Sequence, residues 1–520
     1  MYDILIKNGN IVDGAGKPAF LGSLGIKGNK IVDIGEIRGL AKKTIDAKKH
    51  FVVPGFIDIL THSDVFLNIF NNPKQESFLQ QGITTIIGGN CGVSLAPLLG
   101  PKSIELIKKW ANIENVTINW AKVDEFLNSV KKLRLGVNFG TLSGYSTARR
   151  VVREDESEEL ERDDLAKVEI ILNDALAGGA LGISIDLALP QKGGAPLVEM
   201  ARLGQIVNDH GKVLSVHLKD EGEGITASIN EILQMAEETK VSVELSHFKI
   251  ISQNIKTEDV LSLIQNYADN GINVNFDVYP YGTSATTLYS LLPEWSREGG
   301  TQDVMGRLGD SLLRSKIIKD LQKSDVAVGE ILLSHVGRNK FFLNKTINEI
   351  AGKDNISVEE ALLNLILISN NDAAGFLYAK NEDSIRTLLK SELALASSDG
   401  AGFALAHDAS RNQLIHPRNF GAFPYLLGRY AREEKLLSVE EIIPKITSLP
   451  AKKYGLKGRG FLAKNYFADI CIFDFERVGS QATFQNPFVC PEGILGLVVG
   501  GNLVLWDKKL VGNFHGEVFS

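Results

Sequence analysis

Cysteine is scarce: there are three in 520 residues, Cys91, Cys471 and Cys490. A sparse, odd count excludes a disulfide framework and suits a reducing compartment, so a cytoplasmic protein is expected. No uninterrupted apolar run approaches the roughly 20 residues that cross a bilayer, and none is expected to meet a membrane. Basic charge is not in excess. The net charge is −7 with both signs interspersed, so no stripe is available for a nucleic-acid backbone. The N-terminal MYDILIKNGN opens on strand-like alternation and lacks the charged and apolar regions of a signal peptide. Low-complexity linkers and internal repeats are missing too. What remains is a globular chain long enough for two domains with a sizeable core.

The residues present are organised by period. The first fifty or so read as short strands, with Asn8-Gly9-Asn10 and Lys27-Gly28-Asn29 as hairpin signals. The last sixty look alike, with Gly500-Gly501-Asn502 as a further turn. Between them eight apolar runs (GFIDIL, TTIIGG, LGVNFGTL, ALGISID, VLSVHL, SVELSH, NVNFDVYP and ALASSD) alternate with amphipathic helical stretches. That alternation predicts repeated βαβ units and a parallel sheet. The expected fold is α/β: a (β/α)8 TIM-like barrel over 54–455, and a small β-sandwich built from residues 1–53 and 456–520. About a hundred residues part the seventh run from the eighth, so an insertion is expected at about 283–345, over the cleft.

Several runs are cut off by side chains able to bind metal or move protons: Asp58, Thr61 and His62, then Cys91, His217, His247 and Asp399. A barrel puts catalytic residues at the C-terminal ends of its strands, which is where these fall. A lone cysteine is more often a small buried hydrophobe than a ligand. Together, however, Cys91, His217 and His247 supply the three ligands of a catalytic zinc, with a position left for water. Asp399 is then placed to take a proton from that water and hand it to a departing amine.

The segments VVPGFIDILTHSD, GGNCG, HLKDEG, SHFK, DVYPYGTSAT, SSDG and HPRNFGAFPYLLGRYAREE resemble the N-acyl-D-amino-acid deacylases of the metal-dependent amidohydrolase superfamily. The likeness runs along essentially the whole chain, and GGNCG together with HPR marks this branch. It implies a zinc held by Cys91, His217 and His247, an acid–base role for Asp399, and an Arg418 that meets the substrate carboxylate. It also places Lys249 and Tyr281 against substrate. The implied partner is a small N-acyl amino acid, the D series included, cleaved at its linear amide. His335, His407 and His416 are not expected to be primary ligands.

Departures from the family pattern are equally specific. The usual His-x-His of the first strand reads Leu60-Thr61-His62, so a second metal would keep only His62 and Asp399. One tightly bound Zn2+ is expected. Tyr145 stands where relatives have histidine, Asp186 where they have glycine, and Lys219 where they have arginine. Two other readings compete: a hydantoinase- or dihydroorotase-like cyclic-amide hydrolase, and a non-catalytic member of the fold. The first typically needs a lysine ending the fourth strand, which is absent here. The second gives no reason to retain Cys91, His217, His247 and Asp399 together.

Overall fold

The computed structural model describes every residue except 101–103, 105–112, 114–115, 154–159, 189–196, 253, 298–300, 325, 379–381 and 406–413. Eight short parallel strands carry the centre: β1 (Phe56–Asp58), β2 (Ile83–Gly88), β3 (Asn138–Thr141), β4 (Gly182–Asp186), β5 (Val213–His217), β6 (Ser242–Leu245), β7 (Val274–Val278) and β8 (Ala394–Ala396). Pairing runs β1-β2-β3 in one sheet, and in another from Ser143–Gly144 through β4, β5, β6 and β7 to β8. Leu142 alone separates β3 from Ser143–Gly144, so one stretch of chain belongs to both sheets. A parallel bridge between Thr61 and Gly400 joins the segment after β1 to the segment after β8. These strands are almost wholly buried, as parallel strands flanked by helices must be. The helix Ile225–Thr239 shows how the flanks pack: Ile225, Ile229, Ile232, Leu233 and Ala236 share its inner face.

Both chain ends meet in a single nine-stranded sheet. Phe51–Pro54 runs antiparallel to Ile470–Phe473, and an apolar layer including Ile6, Leu24, Ile470 and Val498 seals the joint. Asn8-Gly9 is no hairpin. It forms a bulge inside the strand Tyr2–Ile11, with Asn8 at φ 55°. A side chain at Gly9 would come within 2.5 Å of Val52, so glycine is needed where two strands press close.

Between β7 and β8 the chain leaves the parallel strands. Thr283–Thr287, Leu332–Val336 and Ala373–Tyr378 form an antiparallel sheet of their own, and helices such as Ser311–Leu321 and Val358–Ile368 pack on a separate apolar core. The excursion therefore reaches beyond the 283–345 expected from sequence: Ala373–Tyr378 is the middle strand of its sheet. Among the described residues no helix is long and apolar enough to cross a membrane.

Candidate metal centre and cleft

The loop after β2 delivers Cys91. Asp64 accepts the Gly89 N–H at 2.6 Å, Asn90 donates to the Ile87 carbonyl at 2.9 Å, and Ser184 accepts the Gly92 N–H at 3.0 Å. Gly89 (φ 73°) lies so close to Leu142 that a Cβ would sit 2.1 Å from its carbonyl oxygen. His217 ends β5. His247 follows β6 by two residues and is fixed through its backbone N–H, which donates to Asp277 at 2.8 Å.

The three side chains converge. Cys91 Sγ stands 3.5 Å from His247 Nε2, the two imidazoles are edge-on with centroids 4.2 Å apart, and one donor atom from each residue lies within 4.8 Å of the others. Burial, aided by Lys249 and His217, pushes His247 down to about 3, so it is neutral at pH 7, the form that coordinates metal. Burial pushes the Cys91 thiol well up, and Asp399 and Asp186 add to it. This setting disfavours the thiolate; a dication held by the three donors would reverse that balance.

Asp399, three residues past β8, uses both carboxylate oxygens. Oδ1 lies 2.9 Å from His62 Nε2 and Oδ2 lies 2.6 Å from Arg418 Nη1. Burial pushes this carboxyl up, yet Arg418 and His62 outweigh it and hold Asp399 well below the usual carboxylate range. Behind it, Asp58 accepts the Ser398 N–H at 2.9 Å and the Ser398 hydroxyl as well. Burial raises Asp58 to about 7 despite those bonds. Cys91 (φ 50°), His247 (φ 37°) and Asp399 (φ 51°) all occupy the left-handed region, where a side chain is strained.

Of the residues anticipated from sequence, Cys91, His217 and His247 form one cluster, and His62, Asp399 and Arg418 form a second. Lys249 joins the first: its Nζ is 3.2 Å from His247 Nδ1 and ion-pairs with Glu221. Arg418 opens the helix Arg418–Tyr425, and its guanidinium lies 5.0 Å over the Tyr279 ring. Its Nε is buried without a hydrogen bond among the described residues. Tyr281 stacks on Tyr425 at 4.6 Å and meets the edge of His416 at 5.1 Å; Tyr279, two residues earlier, is the ring beneath Arg418. His335 contacts Asp372, His416 is buried and accepts the Arg418 N–H at 3.1 Å, and His407 lies outside the described residues.

Sequence reasoning missed Glu221. Its Oε1 lies 3.4 Å from His247 Nδ1 and 3.8 Å from His217 Nε2. Burial pushes Glu221 up, but Lys249 and the imidazoles hold it below its ordinary range. Its position four residues after a strand-end histidine was the available signal. Tyr279 and Asp277, in DVYPY, were hidden by the apolar residues around them.

The chain matches no family model. It is 29% identical to the D-aminoacylase of Alcaligenes xylosoxydans xylosoxydans over 528 residues, covering 100% of this chain and 98% of that one. A solved D-aminoacylase, described by one-metal activation and second-metal attenuation of a binuclear centre, superposes with TM-score 0.83 at 27% identity over the full length of both chains. Along its whole length the chain is similar to N-acyl-D-amino-acid deacylases. A further deacylase structure, the N-acyl-D-glutamate enzyme of Bordetella bronchiseptica complexed with zinc and a phosphonate mimic of the tetrahedral intermediate, gives TM-score 0.82 at 26% identity, covering 100% of this chain and 99% of that one. Two solved hydantoinases superpose with TM-scores of 0.54–0.56 at 16% identity, a likeness of fold.

Proposed function

We propose that this hydrolase of non-peptide carbon–nitrogen bonds is a zinc-dependent deacylase, built on a (β/α)8 barrel, that cleaves the linear amide of an N-acyl amino acid of the D series. The convergence of Cys91, His217 and His247 within 4.8 Å carries the reading. One thiol and two imidazoles are a donor set suited to zinc, and three protein ligands leave a position open. Bound there, zinc would lower the pKa of a water and polarise the scissile carbonyl.

The chain's own residues do the rest. Asp399 accepts the proton as water attacks the carbonyl carbon, then returns it to the amine nitrogen as the C–N bond breaks. Arg418 keeps Asp399 ionised, and its guanidinium is the cation offered to the substrate α-carboxylate. Lys249, held by Glu221, adds a second cation for that carboxylate or the acyl oxygen. Leu60, buried two residues before His62, cannot ligate, so one tightly held zinc is expected. The relatives act on N-acyl-D-amino acids, which favours the D series.

The test combines metal analysis of the purified protein with amino-acid release from N-acetyl-D- and N-acetyl-L-amino acids. Stoichiometric zinc, lost in Cys91→Ala, and turnover of the D series support the reading. A Cys91→Ala protein that retains full zinc refutes it.

A further inference from the structure

We propose that Asn419 is a positioning residue for the Asp399–Arg418 pair: its side-chain amide fastens the loop carrying the carboxylate to the helix carrying the guanidinium. The inference rests on the roles proposed above for Asp399 and Arg418, and adds the group that sets the gap between them.

The pair needs such a group because its members arrive on separate segments. Asp399 stands on the loop after β8, and Arg418 opens the helix Arg418–Tyr425; only the tips meet, Nη1 on Oδ2 at 2.6 Å. An arginine side chain loses much rotamer freedom when fixed, so a defined contact at its tip depends on backbones set beforehand. Other ties on the Asp399 loop run toward β1 and the segment after it. Asp58 holds Ser398, the Gly400 carbonyl accepts the His62 N–H at 2.8 Å, and the Gly402 N–H donates to Ser63 Oγ at 2.8 Å. These fix the carboxylate against β1, not against the arginine.

Asn419 supplies the tie to the arginine. It is 8% exposed and uses both ends of its amide. Oδ1 accepts the N–H of Ala401, two residues past Asp399, at 2.7 Å, and Nδ2 donates at 2.8 Å to the His416 carbonyl in the turn before Arg418. A neutral amide offers an acceptor at one end and a donor at the other, and sets no second negative charge beside Asp399. The contact is also close. A Cβ on Gly400 would lie 3.1 Å from Asn419 Oδ1 and 3.5 Å from its Cα, so loop and helix abut with no side chain between them. The helix start is itself anchored: the Arg418 N–H donates to His416 Nδ1 at 3.1 Å, and His416 Nε2 donates to the Thr283 carbonyl at 3.0 Å. Asn419 therefore holds the Asp399 loop against a fixed point.

The experiment measures the strength of the pair and needs neither substrate nor zinc. Thermal midpoints of full-length wild type, Arg418→Met, Asp399→Asn and the double variant give the coupling, the difference between the double loss and the sum of the single losses. The same cycle is run on Asn419→Ala and on Gly400→Ala, whose added methyl wedges the loop off Asn419 while every polar group remains. The coupling should be largely lost with Asn419→Ala and reduced with Gly400→Ala. A residue that only supports the fold lowers all four midpoints alike, so unchanged coupling in Asn419→Ala overturns the inference. If that variant does not fold, unchanged coupling in Gly400→Ala overturns it instead. Turnover separates the two levels. With zinc content unchanged, Asn419→Ala should turn over an N-acyl-D-amino acid up to about 10²-fold more slowly, the effect of an ångström-scale displacement, and wild-type turnover there also overturns the inference. An Asp399→Asn protein as active as wild type strikes the acid–base reading itself, whatever the coupling shows.

Discussion

Replacing Arg418 with methionine removes a charge while keeping a side chain of similar length, and its consequences follow from one contact. Nη1 lies 2.6 Å from Asp399 Oδ2, and the two side chains are 12% and 10% exposed. Unit charges about 4 Å apart at an effective dielectric near 20 attract by about 4 kcal/mol, equivalent to about three pKa units. In the native chain Arg418 and His62 together overcome burial and keep Asp399 ionised far into acid. In R418M burial is opposed mainly by His62, so the carboxyl pKa rises and the acid limb of kcat/KM moves to higher pH. Stability follows the same sign. The native folded-state pKa lies below the unfolded value of about 4, so Asp399 stabilises fully above that value, and the contribution is lost as pH falls through the folded-state pKa. R418M gives up this contribution at neutral pH, and the gap to wild type narrows on acidification. Breaking a buried pair costs about 3–5 kcal/mol.

The assay compares pH profiles for an N-acyl amino acid and the matching N-acyl amine, with thermal midpoints from pH 4 to 8. Both substrates lose through Asp399; the amino acid loses further if Arg418 also meets its carboxylate. An acid limb that does not move refutes the coupling of Arg418 to Asp399. Equal losses for the two substrates leave Arg418 a partner of Asp399 alone.

Asp399→Asn should cut turnover by about 10²- to 10⁴-fold, the usual worth of a proton-transfer group, with zinc content unchanged by metal analysis; undiminished turnover would move the base elsewhere. Cys91→Ala and Cys91→Gly should both lose zinc, but metal-free Cys91→Gly should be the more stable of the two by about 1 kcal/mol in denaturant titration, because glycine relieves a φ of 50°. Leu60→His should add a second, weaker zinc event in calorimetry and make the protein prone to inhibition by excess zinc, since a metal beside His62 would engage Asp399. A wild-type chain that already binds two zinc ions tightly contradicts the role given to Leu60.

What the sequence made legible was periodic or punctuated. Eight apolar runs, four of them ending at Cys91, His217, His247 and Asp399, could be read because burial on both faces demands continuous apolar residues, and polar side chains interrupt them at the ends. The meeting of the termini in one sheet followed from alternation at both ends of the chain. Gly9 misled because a glycine that ends a hairpin and one that lets Val52 press in look the same in one dimension. The excursion was underestimated because the strand Ala373–Tyr378 pairs with strands up to about ninety residues earlier, and no local pattern encodes that pairing. Glu221 was missed as a site residue because its partners His247 and Lys249 lie on a separate segment of the chain.

Backbone strain is the part of the site that no residue pattern announces, and it bears directly on function. Cys91, His247 and Asp399 are each held in the left-handed region, at a cost of order 1–3 kcal/mol apiece. Glycine would remove that cost, but glycine has neither thiol, imidazole nor carboxylate. The surroundings hold these conformations instead: Gly89 and Asn90 before the cysteine, Asp277 on the His247 N–H, and Ser398 tied to Asp58 just before Asp399. Each support is a buried polar group whose partners are met only in the folded cleft. The strained backbone sets Cys91 and His247 in the three-donor cluster and Asp399 between His62 and Arg418, and the buried network around them keeps them there.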